Sequence, residues 1–497
     1  MVNFHFSIDI FGLFIYKCYV LQIDNTNNRS IALNNKGEAE TMNKKLSFRE
    51  LFAIGLGFTL GSAVFSLTGV AAMYTGGSTF LAYVVGAFAI FFMMFPVIIA
   101  ASIVPRQGVS YSLSKEAFSP AMGGFYFWIF FIGRIAMFAN ITAFAIFFTS
   151  VFTTLNPKLV AALIGIVFYI TNYFGLKSAA KVQRIMNIVL FLAFATFIVF
   201  GFVHMDTMFV FNKEAFLTHG VGGFFNAVAL LVFCMGGGMA MLELGGIAED
   251  AERSLPKACL LITLCAGLLF AGISIATVGS LPLVPMPDGA ATPGTLLFRG
   301  PANSVVNAAA AIFENMKPLQ LFFIFGGACL AIATTINGSF GWYSTPVQAA
   351  IRDGWAPKWF GVTNKYGVPY RIQAVYLLAA LALLVFVPAD GISAANTNVL
   401  KAATNLQILV NIIPNFGLLS LPKFYPEIWE KSKWHMSKGA LWAVTLIPTI
   451  LSIYLWWLNF QGLAVTIQYV LLALFAVGAI YTLIGYKTFA NPDRAGH

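Results

Sequence analysis

Twelve apolar runs, each near the length of a membrane-spanning helix, dominate this chain. A helix needs about 20 mostly apolar residues to cross the hydrocarbon core of a bilayer. The runs lie at 51–74, 79–104, 124–153, 158–174, 185–203, 222–247, 257–281, 319–349, 372–388, 400–421, 439–458 and 464–485. They are continuously apolar rather than alternating, which excludes a transmembrane β-barrel. The fold class that follows is an all-α integral membrane protein with 12 transmembrane helices.

Charge agrees with this. Only 10% of residues are charged and 59% are hydrophobic. A soluble domain carries roughly 25% charge, so a water-soluble enzyme and a disordered chain are both excluded. The 50 phenylalanines suit a lipid-facing surface. The net charge of +10 does not point to nucleic acid, because the basic residues lie in short segments between apolar runs. With the N-terminus in the cytoplasm, the inner connections and tails near the spans hold 20 Lys and Arg and the outer ones 5. Positive residues gather on the cytoplasmic side, so both termini are predicted cytoplasmic in a multi-pass cell-membrane protein. The five cysteines, Cys18, Cys234, Cys259, Cys265 and Cys329, show no CxxC or metal-ligand spacing. They read as reduced small hydrophobes, and no metal site is expected.

Residues 1–45 are predicted to be a polar cytoplasmic tail or a start-site extension, since Met42 opens a stretch that resembles a natural start. The transporter domain is expected over 46–490, with a short tail at 491–497.

In hydrocarbon, irregular backbone is tolerated only where it lines a cavity. Two runs carry clustered glycines. The first holds Gly55, Gly57, Gly61-Ser62-Ala63 and Gly69; the sixth holds Gly236-Gly237-Gly238 at its middle. Each glycine costs a helix about 1 kcal/mol relative to Ala, so both are places where a helix can unwind. First and sixth are matching positions if two five-helix repeats, about 50–203 and 222–421, are followed by two extra helices. Five is odd, so the second repeat is inverted. Interrupted segments at matching positions of inverted repeats mark a midplane substrate site.

Direction supplies the chemistry. The half of span 1 after its break presents free N–H groups near Ser62, Ala63, Val64 and Phe65, which suit a carboxylate. The half of span 6 before its break presents carbonyls near Phe233, Cys234, Met235 and Gly236, which suit an ammonium group. Met235, Met239 and Met241 are candidates for the side-chain pocket or for plain core. The two features together fit an amino-acid substrate.

The chain also resembles the amino acid–polyamine–organocation (APC) permeases, which have the LeuT-like inverted-repeat fold. Gly61-Ser62-Ala63-Val64-Phe65 resembles their span 1 break, with Ala63 departing from the usual glycine. Asn172-Tyr-Phe-Gly175-Leu-Lys177-Ser-Ala-Ala-Lys181-Val-Gln183 resembles their connection between spans 4 and 5. Glu249 with Arg253-Ser-Leu-Pro256-Lys257 resembles a shortened form of the loop after span 6. Arg352-Asp353-Gly354-Trp-Ala-Pro357 and Asn364-Lys-Tyr366-Gly367-Val-Pro369 resemble the loop after span 8. The resemblance covers roughly 46–490 and implies an amino-acid symporter or exchanger working by alternating access.

Two charges sit deep within spans: Arg134 in span 3 and Glu243 in span 6. Such residues face a partner or water, and an Arg134–Glu243 pair is expected, acting as an inner gate, a coupling element or a structural ion pair. No cofactor is expected. Coupling to H+ or to Na+ stays open, as does exchange without an ion. By resemblance to sodium-coupled relatives of the wider fold, Thr334-Thr335 in span 8 is a candidate sodium site. Span 5 lacks the lysine of similar proton symporters. Asn405, Gln407, Asn411 and Asn415 form a polar run in span 10, and residues 303–316 read as a short external helix.

An integral-membrane enzyme is disfavoured because all five histidines lie in tails or loops. A major-facilitator transporter is disfavoured because no long loop follows span 6. No acidic or basic group is assigned to the breaks by sequence alone, which favours a neutral amino acid, whereas Arg134 favours an acidic one. The sequence fixes no oligomeric state.

Overall fold

The computed structural model describes residues 46–205, 210–211, 215–281 and 304–488. The tail assignments and Cys18 lie outside the described residues. The first half contains α1 (Phe48–Thr59), α2 (Ser62–Thr75), α3 (Thr79–Ile103), α4 (Val109–Ala117), α5 (Pro120–Gly133), α6 (Ala136–Thr149), α7 (Pro157–Tyr173) and α8 (Leu176–His204). Next come α9 (Gly220–Leu231), α10 (Gly238–Glu243), α11 (Ala251–Ser280), α12 (Ser304–Ile312), α13 (Lys317–Phe322) and α14 (Leu330–Trp342). The chain finishes with α15 (Ser344–Arg352), α16 (Tyr370–Phe386), α17 (Ile392–Asn415), α18 (Leu421–Phe424), α19 (Pro426–Lys431), α20 (Lys438–Gln461) and α21 (Val465–Thr488).

Among the described residues, eight stretches are long and apolar enough to cross a membrane, and three shorter apolar helices, α7, α9 and α16, stand beside them. The count differs from the twelve runs because α2 joins α3 in one stretch, α9 stops at the break in the sixth run, and α7 and α16 are unbroken but only 17 residues long. Ala63–Ile103 is one continuous apolar stretch that holds most of α2 and all of α3. It is bent at Gly76, whose φ of 64° is open to glycine and strained for other residues.

The start of α1 is written locally. Ser47 Oγ accepts the Glu50 N–H at 3.4 Å, and the Glu50 carboxylate accepts the Ser47 N–H at 2.9 Å, a capping box. Just before it, Leu46 N–H donates to the Ile247 carbonyl at 2.7 Å, and Glu249 N–H donates back to the Leu46 carbonyl at 2.9 Å. This parallel bridge between Leu46 and Ala248 is the β-type contact among the described residues. It ties the entry of α1 to the segment leaving α10.

Apolar residues cover both inside and outside. Phe65, Phe194 and Phe323 are fully buried in one aromatic cluster. Phe386, Val203 and Leu268 are at least 70% exposed. An apolar exterior is the expected surface toward lipid tails, and α20 and α21 present mostly exposed apolar faces of this kind.

Candidate substrate site

The centre of the protein is built from interrupted helices. α1 ends at Thr59 and α2 restarts at Ser62. Gly61 caps α2 without a side chain, so the first-turn N–H groups at Ser62–Val64 have no side-chain cap. α9 gives way to a 3₁₀ turn over Val232–Met235, and α10 restarts at Gly238. The Gly236 and Gly237 carbonyls accept the N–H groups of Met239 and Ala240 at 3.0 and 3.1 Å. One lone pair of the predicted Gly236 acceptor is therefore already used.

A third interruption escaped the sequence reading. α5 and α6 are separated by a tightened turn at Arg134–Ile135, held by Arg134 N–H to Phe131 O at 3.2 Å and Ile135 N–H to Ile132 O at 3.0 Å. A charged residue after a glycine in the middle of an apolar run was its only local signal.

The interruptions meet. A Cβ on Gly237 would overlap Thr59 Oγ1 and the Gly55 carbonyl, and a Cβ on Gly61 would overlap Thr335 Oγ1. Between them lies a cavity of about 40 Å³, room for about three waters. Gly61 and Ala63 contribute from the first break, Cys234 and Gly237 from the second, Arg134 and Asn140 from the third, and Thr335, Tyr343 and Gln407 from α14, its following turn and α17.

Arg134 is 3% exposed. Its Nε donates to the Phe130 carbonyl at 3.0 Å and its Nη2 to Gln407 Oε1. The guanidinium carbon lies 4.0 Å from the Phe130 ring centre, 4.2 Å from Tyr343 and 5.2 Å from Trp342, inside the range of cation–π attraction. Nη1 has no hydrogen-bond partner.

The expected Arg134–Glu243 pair is not formed. Glu243 is fully buried on α10 and approaches Ser110, yet neither carboxylate oxygen makes a hydrogen bond. Tyr126 lies within electrostatic reach of both charges, and Arg134 is held on the cavity side by Gln407 and the three rings. Glu243 is absent from the cavity wall.

Of the other candidate residues, Val64, Phe65, Met235, Gly236, Gly238, Met239 and Thr334 are likewise absent from the wall. Phe65 packs in the aromatic cluster, Met235 reaches toward Gly86 on α3, and Gly238 abuts Cys259. Their side of each broken helix faces neighbouring helices rather than the gap. The side chains of Ser62 and Phe233 lie outside the described set. Thr334 Oγ1 lies 2.9 Å from the Gly57 carbonyl and 2.6 Å from that of Ala331. The span 10 asparagines do not satisfy one another: Asn405 bonds Asn459 and Asn415 bonds Thr449, while the buried Asn411 amide has no partner.

Residues 46–486 match the family described as amino acid permease. The chain belongs to the amino acid permease family. This permease is 23% identical over 346 residues to the branched-chain amino acid permease BcaP of Bacillus subtilis, covering 65% of this chain and 73% of that protein. It is 23% identical over 357 residues to the histidine permease HisP of Lactococcus lactis, covering 69% and 72%. It is 25% identical over 421 residues to the dicarboxylic amino acid permease of Saccharomyces cerevisiae, covering 78% and 64%. It is a multi-pass membrane protein and an amino acid transporter.

Away from the cavity, the permease is braced by two polar knots on α4. Arg106 makes a forked pair with Glu116 at 2.6 and 2.7 Å and donates to the Tyr425 hydroxyl at 3.2 Å. Lys115 and the Tyr111 hydroxyl both donate to Asp353 Oδ2 at 2.7 Å. Beside α1, buried amides link α7, α8 and α14: Asn172 donates to Asn337 at 2.9 Å, and Asn337 to Gln183 at 2.7 Å.

Proposed function

We propose that this permease moves its amino acid by alternating access, as a symporter or exchanger, with 12 spans in a 5+5 inverted repeat of LeuT-like form and both termini in the cytoplasm of a cell-membrane protein. The observation that carries the reading is the packing of Gly237 against Thr59 at a cavity bordered by Gly61 and Cys234. The substrate carboxylate takes the uncapped N–H groups after Gly61, and its ammonium takes carbonyls of the Val232–Met235 turn. Main chain thereby holds what all amino acids share, and side chains sort the rest.

The cavity is too small for most amino acids as it stands, so substrate entry requires the broken helices to part from α5, α6 and α14. The Leu46–Ala248 bridge joins the cytoplasmic ends of the two broken spans in this reading, which makes it a closure on the inner side. Coupling has two routes. Glu243, buried with no ion pair, supports proton coupling. Thr334 beside the Gly57 carbonyl supports a sodium site with Thr335, because hydroxyls and carbonyls are the hard ligands such an ion takes.

Counterflow in proteoliposomes tests the function. A carrier loaded inside with an amino acid accelerates entry of labelled substrate, whereas a channel or an enzyme shows no such exchange. The relatives' names span branched-chain, histidine and dicarboxylic substrates at 23–25% identity, which selects none of these classes.

A further inference from the structure

We infer that the substrate of this permease is an anionic amino acid, glutamate or aspartate, and that Arg134 is the residue that selects it. This rests on the reading of the cavity as the substrate site. Among the described residues that form the wall, Arg134 alone carries a formal charge. A buried cation with no paired anion is strongly unfavourable, yet the Glu243 carboxylate, the one acidic group the sequence offers at comparable depth, lies within electrostatic reach of Arg134 but makes no hydrogen bond to it and is absent from the cavity wall. Phe130, Tyr343 and Gln407 hold the guanidinium in place and satisfy Nε and Nη2. Nη1 is left without a partner. An oriented NH2 group on a permanent cation, lacking an acceptor, is a recognition element for a carboxylate.

The α-carboxylate and α-ammonium cancel in charge and are assigned to the two helix breaks. A neutral amino acid would then leave the cavity with a net positive charge. A side-chain carboxylate reaching Nη1 neutralises it, and the amide isosteres glutamine and asparagine cannot. Asn140, also in the wall, adds a polar side chain on the same α5–α6 segment.

The test is counterflow and competition with the full-length protein in proteoliposomes, comparing labelled L-glutamate, L-aspartate, L-glutamine and L-leucine. The expected result is exchange of glutamate or aspartate, with glutamine weaker by roughly ten- to hundredfold, the range of one charge-assisted hydrogen bond. This comparison needs no variant. Arg134→Gln is expected to remove that preference and Arg134→Lys to retain part of it. Exchange of neutral amino acids with glutamate ignored overturns the inference and leaves the transporter reading intact. Equal weakening of glutamate and leucine by Arg134→Gln also overturns it, because Arg134 would then serve the α-carboxylate. Failure of every amino acid to exchange overturns both.

Discussion

Gly237 stands against Thr59 so closely that even a methyl group on it would overlap the threonine hydroxyl. The two residues belong to different interrupted helices far apart in the chain, and their contact is the wall of the central cavity. Gly237→Ala is expected to destabilise the protein by about 1–3 kcal/mol through overpacking and to abolish uptake. Gly222→Ala is the control: it sits in α9 with open space around it, and is expected to raise stability by up to about 1 kcal/mol. Thermal unfolding in detergent and uptake in vesicles check both.

The Leu46–Ala248 bridge predicts a mechanical lock. With Leu46→Cys and Ala248→Cys combined, oxidation should cross-link the two bridged segments and stop transport, and reductant should restore it. Full activity in the verified cross-linked protein would show that these segments need not separate during the cycle.

Glu243 lies in the interior with no counter-ion within bonding distance. If it carries the coupling proton, Glu243→Gln keeps substrate exchange and removes the dependence of net uptake on a pH gradient. Parallel flux measurements at two external pH values separate the two readouts, and an unchanged gradient dependence would sink the coupling role.

Tyr111 ties α4 to Asp353, outside the membrane-spanning stretches. Burial pushes its hydroxyl well above the ordinary tyrosine range, and the Asp353 charge adds to the shift. A folded value above the unfolded one, about 10, means the folded state holds the proton more tightly. That contribution is complete below pH ~10 and is lost as pH rises toward the folded value. Melting temperature should therefore fall above pH ~10, with a shallower fall in Tyr111→Phe.

Asn337 sits between Asn172 and Gln183 in the buried amide chain. Asn337→Ala strands a donor on Asn172 and an acceptor on Gln183, and is expected to cost about 2–4 kcal/mol. Denaturant or thermal unfolding in detergent measures it.

How much of this was legible in the sequence follows the range of the forces involved. Apolar runs of bilayer length, the Ser47–Glu50 cap and the glycine clusters at Gly61 and Gly236–Gly238 act over a few residues, so each is written locally. They determined an all-helical membrane protein and located two helix breaks. Which side chains face the gap is a different matter. A broken helix has no single periodicity, so Phe65 and Met239, adjacent to the breaks, turned into the packed core, while Asn140 and Tyr343 turned toward the cavity. The expected Arg134–Glu243 pair rested on similar depth along two helices. Depth is a one-dimensional coordinate, whereas pairing depends on rotation and on competing partners, here Gln407, the Phe130 carbonyl and the ring cage around Arg134. Only tertiary packing decided that the arginine faces the cavity and the glutamate does not.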